Sequence, residues 1–360
     1  MRIGWIFGGP EKELTGVNIA INETIKELLR LDSHNQYYAI DENYLNLPVI
    51  QTNIMRCQDF WLKNKNLEML TACNDIQILH SFFDSFHAVT YDCKKIITIH
   101  DLIPLVHPEW HWARDYFDGP MRASARMADV ILADSQYTKK EVVKYYNIPE
   151  EKIKVVYFGC NSELLNQEQN MSVVDKYGLG EGYILSVSTL EPRKNLRGLI
   201  KAFEAYKERH IHSKIKLVLT GKMGWDESFQ TFLKSMGRVV DDIVITGYVD
   251  ACTLAGLYKN AIAMAYVSYY EGFGLPVLEA YNMGTAVIAS DQTSIPEAGG
   301  DAAFYCNPYD KESIVNAIEQ AVENETLRNE KIEKGFSHAQ KFSYKNAAEN
   351  ILKIYSSLGA

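Results

Sequence analysis

Short apolar runs alternate with helical patterns along this chain, and the alternation begins afresh after Gly182. Apolar runs without polar interleaving must be covered on both faces, so the pattern requires parallel strands joined by crossover helices. In the first half the runs fall at residues 3–7, 37–40, 76–80, 96–99, 130–133 and 153–158. In the second they fall at 183–188, 216–220, 243–246, 261–268 and 285–289. Val17, Ile21, Ile25, Leu28 and Leu29 make one apolar stripe at helical spacing, with Thr15 placed to cap it. Further helices are expected at 60–70, 119–128, 138–146, 310–322, 325–340 and 344–358, with Ser135 capping the one at 138–146. Residues 161–182 are polar with weak periodicity and read as a link. The expectation is an α/β protein of two doubly wound, Rossmann-like domains facing a cleft, at residues 1–165 and 166–340.

Within the second half one element concentrates chemistry: Tyr269-Tyr270-Glu271-Gly272-Phe273-Gly274-Leu275-Pro276-Val277-Leu278-Glu279-Ala280. It follows the apolar run at 261–268. Two glycines bracket Phe273 and allow a tight turn that exposes backbone N–H groups. Pro276 suits the first turn of a helix, and Gly284 stops it. Strand, glycine loop and helix N-terminus together make an anion site. Two carboxylates, Glu271 and Glu279, lie eight residues apart in it. A sugar nucleotide would use both, one for sugar hydroxyls and one for ribose, with the diphosphate between them. A solvated loop acid and a surface helix acid are the plainer reading, and the spacing alone leaves both open.

Other strand ends carry polar groups. His100 and Asp101 follow the run at 96–99, where ligand groups emerge from a parallel sheet, or where they cap the next loop. Arg193 and Lys194 follow the run at 183–188 and suit a diphosphate, with Glu191 beside them. Gly8, Gly9 and Gly16 lie in the first loop, which lacks the Gly-x-Gly-x-x-Gly fingerprint. Trp110, Trp112, Tyr116 and Phe117 form an aromatic cluster suited to a sugar ring, a lipid or a core. His107 and His111 have helical ligand spacing, but Pro108 intervenes and no third ligand stands near, so no metal site is expected. His210 and His212 lie in a polar stretch. No Gly-x-Ser-x-Gly elbow supports a hydrolase triad.

Composition narrows the partners. A net charge of −9 argues against long nucleic acid. The six cysteines are scattered without a Cys-x-x-Cys, as in a reduced, cytosolic protein. No apolar run reaches the ~20 residues of a membrane span, and the N-terminal run lacks the features of a signal peptide.

The Glu271-to-Glu279 element resembles the Glu-x7-Glu motif of family 4 retaining glycosyltransferases, which have the GT-B fold. Thr98-Ile99-His100-Asp101-Leu102-Ile103-Pro104, Ser188-Thr189-Leu190-Glu191-Pro192-Arg193-Lys194-Asn195 and Thr246-Gly247-Tyr248-Val249 resemble further landmarks of that family, in order along the chain. So does the continuation from Leu278 to Ser290. The resemblance implies a metal-independent hexosyltransferase, without cofactor, moving a sugar from a nucleotide to a glycan or lipid-linked acceptor of a surface polysaccharide. It implies that His100 and Glu271 act at the transferred sugar. Gly16, Arg193, Lys194, Gly272, Phe273, Gly274 and Leu275 would hold the donor, and Glu279 its ribose. Tyr248 and Val249 would lie at the base. It also implies a last helix, 341–360, crossing back to the first domain, and a cytoplasmic enzyme with peripheral contact at the inner membrane face. Ser188-Thr189 stands where many members have Gly-Arg, which shifts the phosphate toward Arg193 and Lys194. Phe158-Gly159 replaces a common Asn-Gly at the hinge. Near the base only Asp250 offers a side chain to guanine, which favours a UDP-sugar such as UDP-glucose slightly over GDP-mannose. A sugar-nucleotide-binding partner subunit that has lost transfer is the alternative, and a GT-B-like epimerase a more distant one.

Overall fold

The computed structural model describes residues 1–7, 16–39, 51–52, 68, 71–72, 74–82, 86, 89–110, 114–167, 172–222, 224 and 228–359. Gly8, Gly9, Thr15, His111, Trp112 and most of the helix expected at 60–70 lie outside them. The chain divides into two compact units, Met1–Gly159 with Ser343–Ala360, and Cys160–Phe342.

In the first unit lie β1 (Arg2–Ile6), β2 (Gln36–Ala39), β3 (Gln51–Thr52), β4 (Ile78–Ser81), β5 (Lys94–Ile99), β6 (Val130–Ala133) and β7 (Ile153–Val155). They form one sheet in the order β3-β2-β1-β4-β5-β6-β7. The second unit has β8 (Tyr183–Val187), β9 (Lys216–Thr220), β10 (Ile243–Gly247), β11 (Ala263–Tyr266), β12 (Ala286–Ser290) and β13 (Phe304–Cys306). Their order is β10-β9-β8-β11-β12-β13. Every pairing described is parallel. Both sheets reverse their winding once, beside β1 and beside β8, and such a reversal opens a crevice at the carboxyl ends of the strands.

Two strands end two or more residues before their apolar runs do. β7 stops at Val155, and Val156 and Phe158 serve the core, each under 5% exposed. β11 stops at Tyr266, and Val267 and Ser268 stay buried beyond it. The expected link at 161–182 instead carries two short helices, Ser162–Leu165 and Ser172–Tyr177, which pack on helix Ala251–Asn260. A helix of four or six residues is too brief to show a period. β3 and β13 escaped notice for the same reason.

Helix Tyr344–Leu358 belongs to the first unit and packs against helix Gly16–Leu31. A buried polar chain holds it there. The Trp5 indole N–H donates to the Tyr355 hydroxyl at 3.1 Å, which meets His80 Nδ1 at 2.6 Å. His80 Nε2 in turn lies 3.0 Å from Thr98 Oγ1. Two hydroxyls on the two ring nitrogens suit a neutral imidazole, which donates at one nitrogen and accepts at the other. Burial pushes the His80 imidazole down to about 3, which agrees. Tyr355→Phe strands two buried groups, and we expect a loss of about 1–3 kcal/mol in urea unfolding.

Candidate active site

The second unit builds its polar cluster at the winding reversal, where the loops after β8 and β11 meet. Residues Pro192–Lys194 form a single helical turn, closed by Asn195 in the left-handed region at φ 55°. Asn195 Nδ2 donates to the carbonyls of Val267 at 3.1 Å and Pro308 at 2.8 Å, fastening this turn to the ends of β11 and β13. The Tyr269 N–H donates to the Arg193 carbonyl at 2.9 Å.

On that scaffold the Glu271 carboxylate bridges two cations. Its Oε2 lies 2.7 Å from Arg193 Nη1, and its Oε1 lies 2.7 Å from Lys194 Nζ. Arg193 Nη2 also reaches Glu191 Oε1 at 3.0 Å, so Glu191 does share the charge of this turn. Lys194 Nζ donates to the Tyr266 hydroxyl at 3.2 Å. Burial alone would raise the Glu271 carboxyl, but Arg193 and Lys194 outweigh it and hold it at about 2. Burial, reinforced by Arg193, lowers the Lys194 ammonium against the pull of the two acids. Linkage then fixes a pH signature. The Glu271 contribution to stability is complete above the ordinary 4.5 and is lost as pH falls toward about 2. Acid unfolding followed by circular dichroism should show an acid limb in that window that Glu271→Gln diminishes.

Past Glu271 the chain turns through Gly274, whose φ of 132° suits glycine, into helix Leu275–Asn282. Among the described residues no side chain caps that helix, and Pro276 sits in its first turn. Glu279 lies one turn in, partly buried, and accepts from the Tyr258 hydroxyl at 2.8 Å through Oε2. Burial raises its carboxyl, opposed by that bond. Its Oε1 has no hydrogen-bond partner among the described residues.

Tyr248 and Val249 follow β10, two places from β8 in the sheet. Tyr248 is 64% exposed, with Lys222 Nζ 5.7 Å over its ring. Asp250 caps helix Ala251–Asn260 by accepting from the Thr253 N–H at 2.7 Å, so one carboxylate oxygen is committed to the fold.

In the first unit His100 follows β5 and is 9% exposed. Its partner is Asp134, at the end of β6, at 2.7 Å from Nδ1, and Nε2 lies 2.7 Å from the Phe82 carbonyl. Two oxygen acceptors face the two ring nitrogens, so both nitrogens carry protons when the pair is ionic. Burial opposes the charge, but Asp134 prevails and raises the imidazole above 6.5. Its stabilisation is therefore present below 6.5 and lost as pH rises through the folded value. Asp101, adjacent in sequence, instead caps the following turn by accepting from the Ile103 N–H at 3.0 Å. Gly16 opens helix Gly16–Leu31 with ordinary φ, and among the described residues nothing lies within 4 Å of where a Cβ would stand. His107 meets Glu109 at 3.0 Å and stacks on Trp110.

The structure thus joins Arg193, Lys194 and Glu271 in one cluster and seats Glu279 on the helix that follows. Sequence reasoning missed Asp134, Tyr258 and Tyr266. Asp134 was within reach, since it ends a run that neighbours the one ending in His100. The two tyrosines gave no signal.

A family model described as Glycosyltransferase Family 4 matches residues 37–164, and one described as Glycosyl transferases group 1 matches 169–338. Anabaena Alr3699/HepE, solved in complex with UDP-glucose, has a TM-score of 0.80 at 16% identity, over 99% of this chain and 100% of that one. This likeness, with the two doubly wound sheets, defines the fold class as GT-B. The O-antigen chain mannosyltransferase B of Escherichia coli is 32% identical over 271 residues, 74% of this chain and 71% of its own length. The serotype-specific mannosyltransferase WbdA of Escherichia coli is 29% identical over 82% of this chain, which spans only 38% of that relative. The chain belongs to the group 1 and family 4 glycosyltransferases.

Proposed function

We propose that this chain transfers a mannosyl residue from GDP-mannose, with retention of anomeric configuration, to a growing surface polysaccharide. The observation that carries the reading is the Glu271 carboxylate bridging Arg193 and Lys194 at the winding reversal of the second sheet. Two cations on Glu271, which leads into a helix N-terminus with no side-chain cap among the described residues, suit a diphosphate leaving group. A carboxylate held at about 2 is a weak base, so Glu271 orients the sugar and stabilises positive charge on it. Gly272, Phe273, Gly274 and Leu275 supply the turn around the phosphate, and Glu279 offers Oε1 to the ribose. Gly16 and His100 are the proposed contributions of the first unit.

The names of the E. coli relatives print mannosyl transfer and O-antigen chains, which moves the donor from the UDP-sugar favoured by sequence to GDP-mannose. With one Asp250 oxygen committed to a helix cap, backbone groups near Tyr248 and Val249 take most of the base recognition. A lipid-linked glycan acceptor would bring the chain to the cytoplasmic face of a membrane as a peripheral protein. Among the described residues no helix is long and apolar enough to cross one.

Radiolabelled GDP-mannose, offered with a mannosyl-terminated lipid-linked primer, should yield labelled glycan whose new linkage keeps the donor's configuration by NMR. Label transfer from UDP-glucose alone would return the donor to the UDP-sugar. Nucleotide binding without transfer from any donor would favour the inactive partner subunit.

A further inference from the structure

Thr293 and Ser294 follow β12, on the far side of the Glu271 loop from Arg193 and Lys194 in the chain order of the sheet. Thr293 has φ 58°, a conformation that a β-branched residue adopts only under constraint. Its Oγ1 accepts from the Glu271 N–H at 3.2 Å. Ser294, fully buried, directs Oγ at the carbonyls of Glu271 at 2.8 Å and Phe273 at 3.0 Å. Both backbone polar groups of Glu271 are therefore held by this one dipeptide. The dipeptide is braced in turn. Helix Ile295–Gly299 starts directly after it, and the Tyr281 hydroxyl donates to the Gly299 carbonyl at 2.9 Å. The Tyr305 hydroxyl donates to the Gly300 carbonyl at 2.6 Å.

We infer that Thr293 and Ser294 are positioning residues, whose hydroxyls fix the Glu271 backbone so that its carboxylate spans Arg193 and Lys194. Backbone strain at Thr293 persists because this service needs a hydroxyl where glycine would sit more comfortably. Strain held by its surroundings beside a site of this kind fits that role.

Thr293→Gly separates the two properties, since it relieves the strain and removes the hydroxyl. We expect its melting temperature at neutral pH to be unchanged or raised. The acid limb due to Glu271 should move up by roughly half a pH unit. Thr293→Ser should restore it, and Ser294→Ala should act in the same direction as Thr293→Gly. In a Glu271→Gln background neither variant should move the acid limb. This half of the test needs no nucleotide. The second half rests on the donor-site reading above: the initial rate of transfer from GDP-mannose should fall about tenfold in Thr293→Gly and recover in Thr293→Ser, with GDP affinity by calorimetry not reduced. Wild-type chain that ignores GDP would overturn the donor-site reading, leaving the acid limb to decide on the dipeptide. An acid limb unmoved by Thr293→Gly, or moved equally in the Glu271→Gln background, would overturn the positioning role.

Discussion

Glu271→Gln is expected to lower transfer by about two orders of magnitude while leaving GDP affinity unchanged or tighter. The native carboxylate accepts from Arg193 and Lys194, one cation per oxygen, both at 2.7 Å. A glutamine can accept from one of them only, and its amide N–H₂ faces the other cation. The charge that would stabilise a positive sugar is lost, and a factor of about 100 corresponds to about 2.7 kcal/mol of barrier. The two cations, released from their acid, are at the same time freer to meet phosphate. Initial rates and nucleotide calorimetry on one preparation would show this split. Glu271→Ala is the poorer variant, because removing one partner of a buried charge pair costs about 3–5 kcal/mol of stability.

Lys194→Met is expected to act the opposite way, on binding first. The ammonium is nearly buried, its side chain 10% exposed, and it is placed by Glu271 and Tyr266. One charge-assisted bond to the diphosphate is worth about 1.5–3 kcal/mol, so GDP affinity should fall roughly 10- to 100-fold. A nucleoside without phosphates should bind both forms equally. Methionine keeps the length of the stem and fills the space, which separates charge from packing. Calorimetric titration of GDP and guanosine into both chains would check it.

The architecture was legible in the sequence because parallel strands buried on both faces leave apolar runs, and eleven such runs marked strands of the two sheets. β3 and β13 were not, since two- and three-residue strands leave no pattern. In the site, Arg193, Lys194 and Glu271 could be named from their places at strand ends and from the family resemblance. Their mutual ion pairs could not, because nothing local says that residues 77 or 78 positions apart will meet. His100 was legible as a polar group at a strand end, but its partner Asp134, at the end of the neighbouring strand β6, was not singled out. Thr293 and Ser294 were invisible for another reason. Thr293 takes a left-handed backbone conformation that threonine does not advertise, and the Ser294 hydroxyl bonds to carbonyls 21 and 23 residues away.

The central claim is that the Arg193, Lys194 and Glu271 cluster holds a nucleoside diphosphate sugar. Calorimetric titration of GDP and UDP into the wild-type and Lys194→Met chains, without added metal, tests it most directly. The account predicts one GDP per wild-type chain, weaker UDP, and affinity reduced at least tenfold in the variant. Binding of neither nucleotide, or equal binding by both chains, would contradict it.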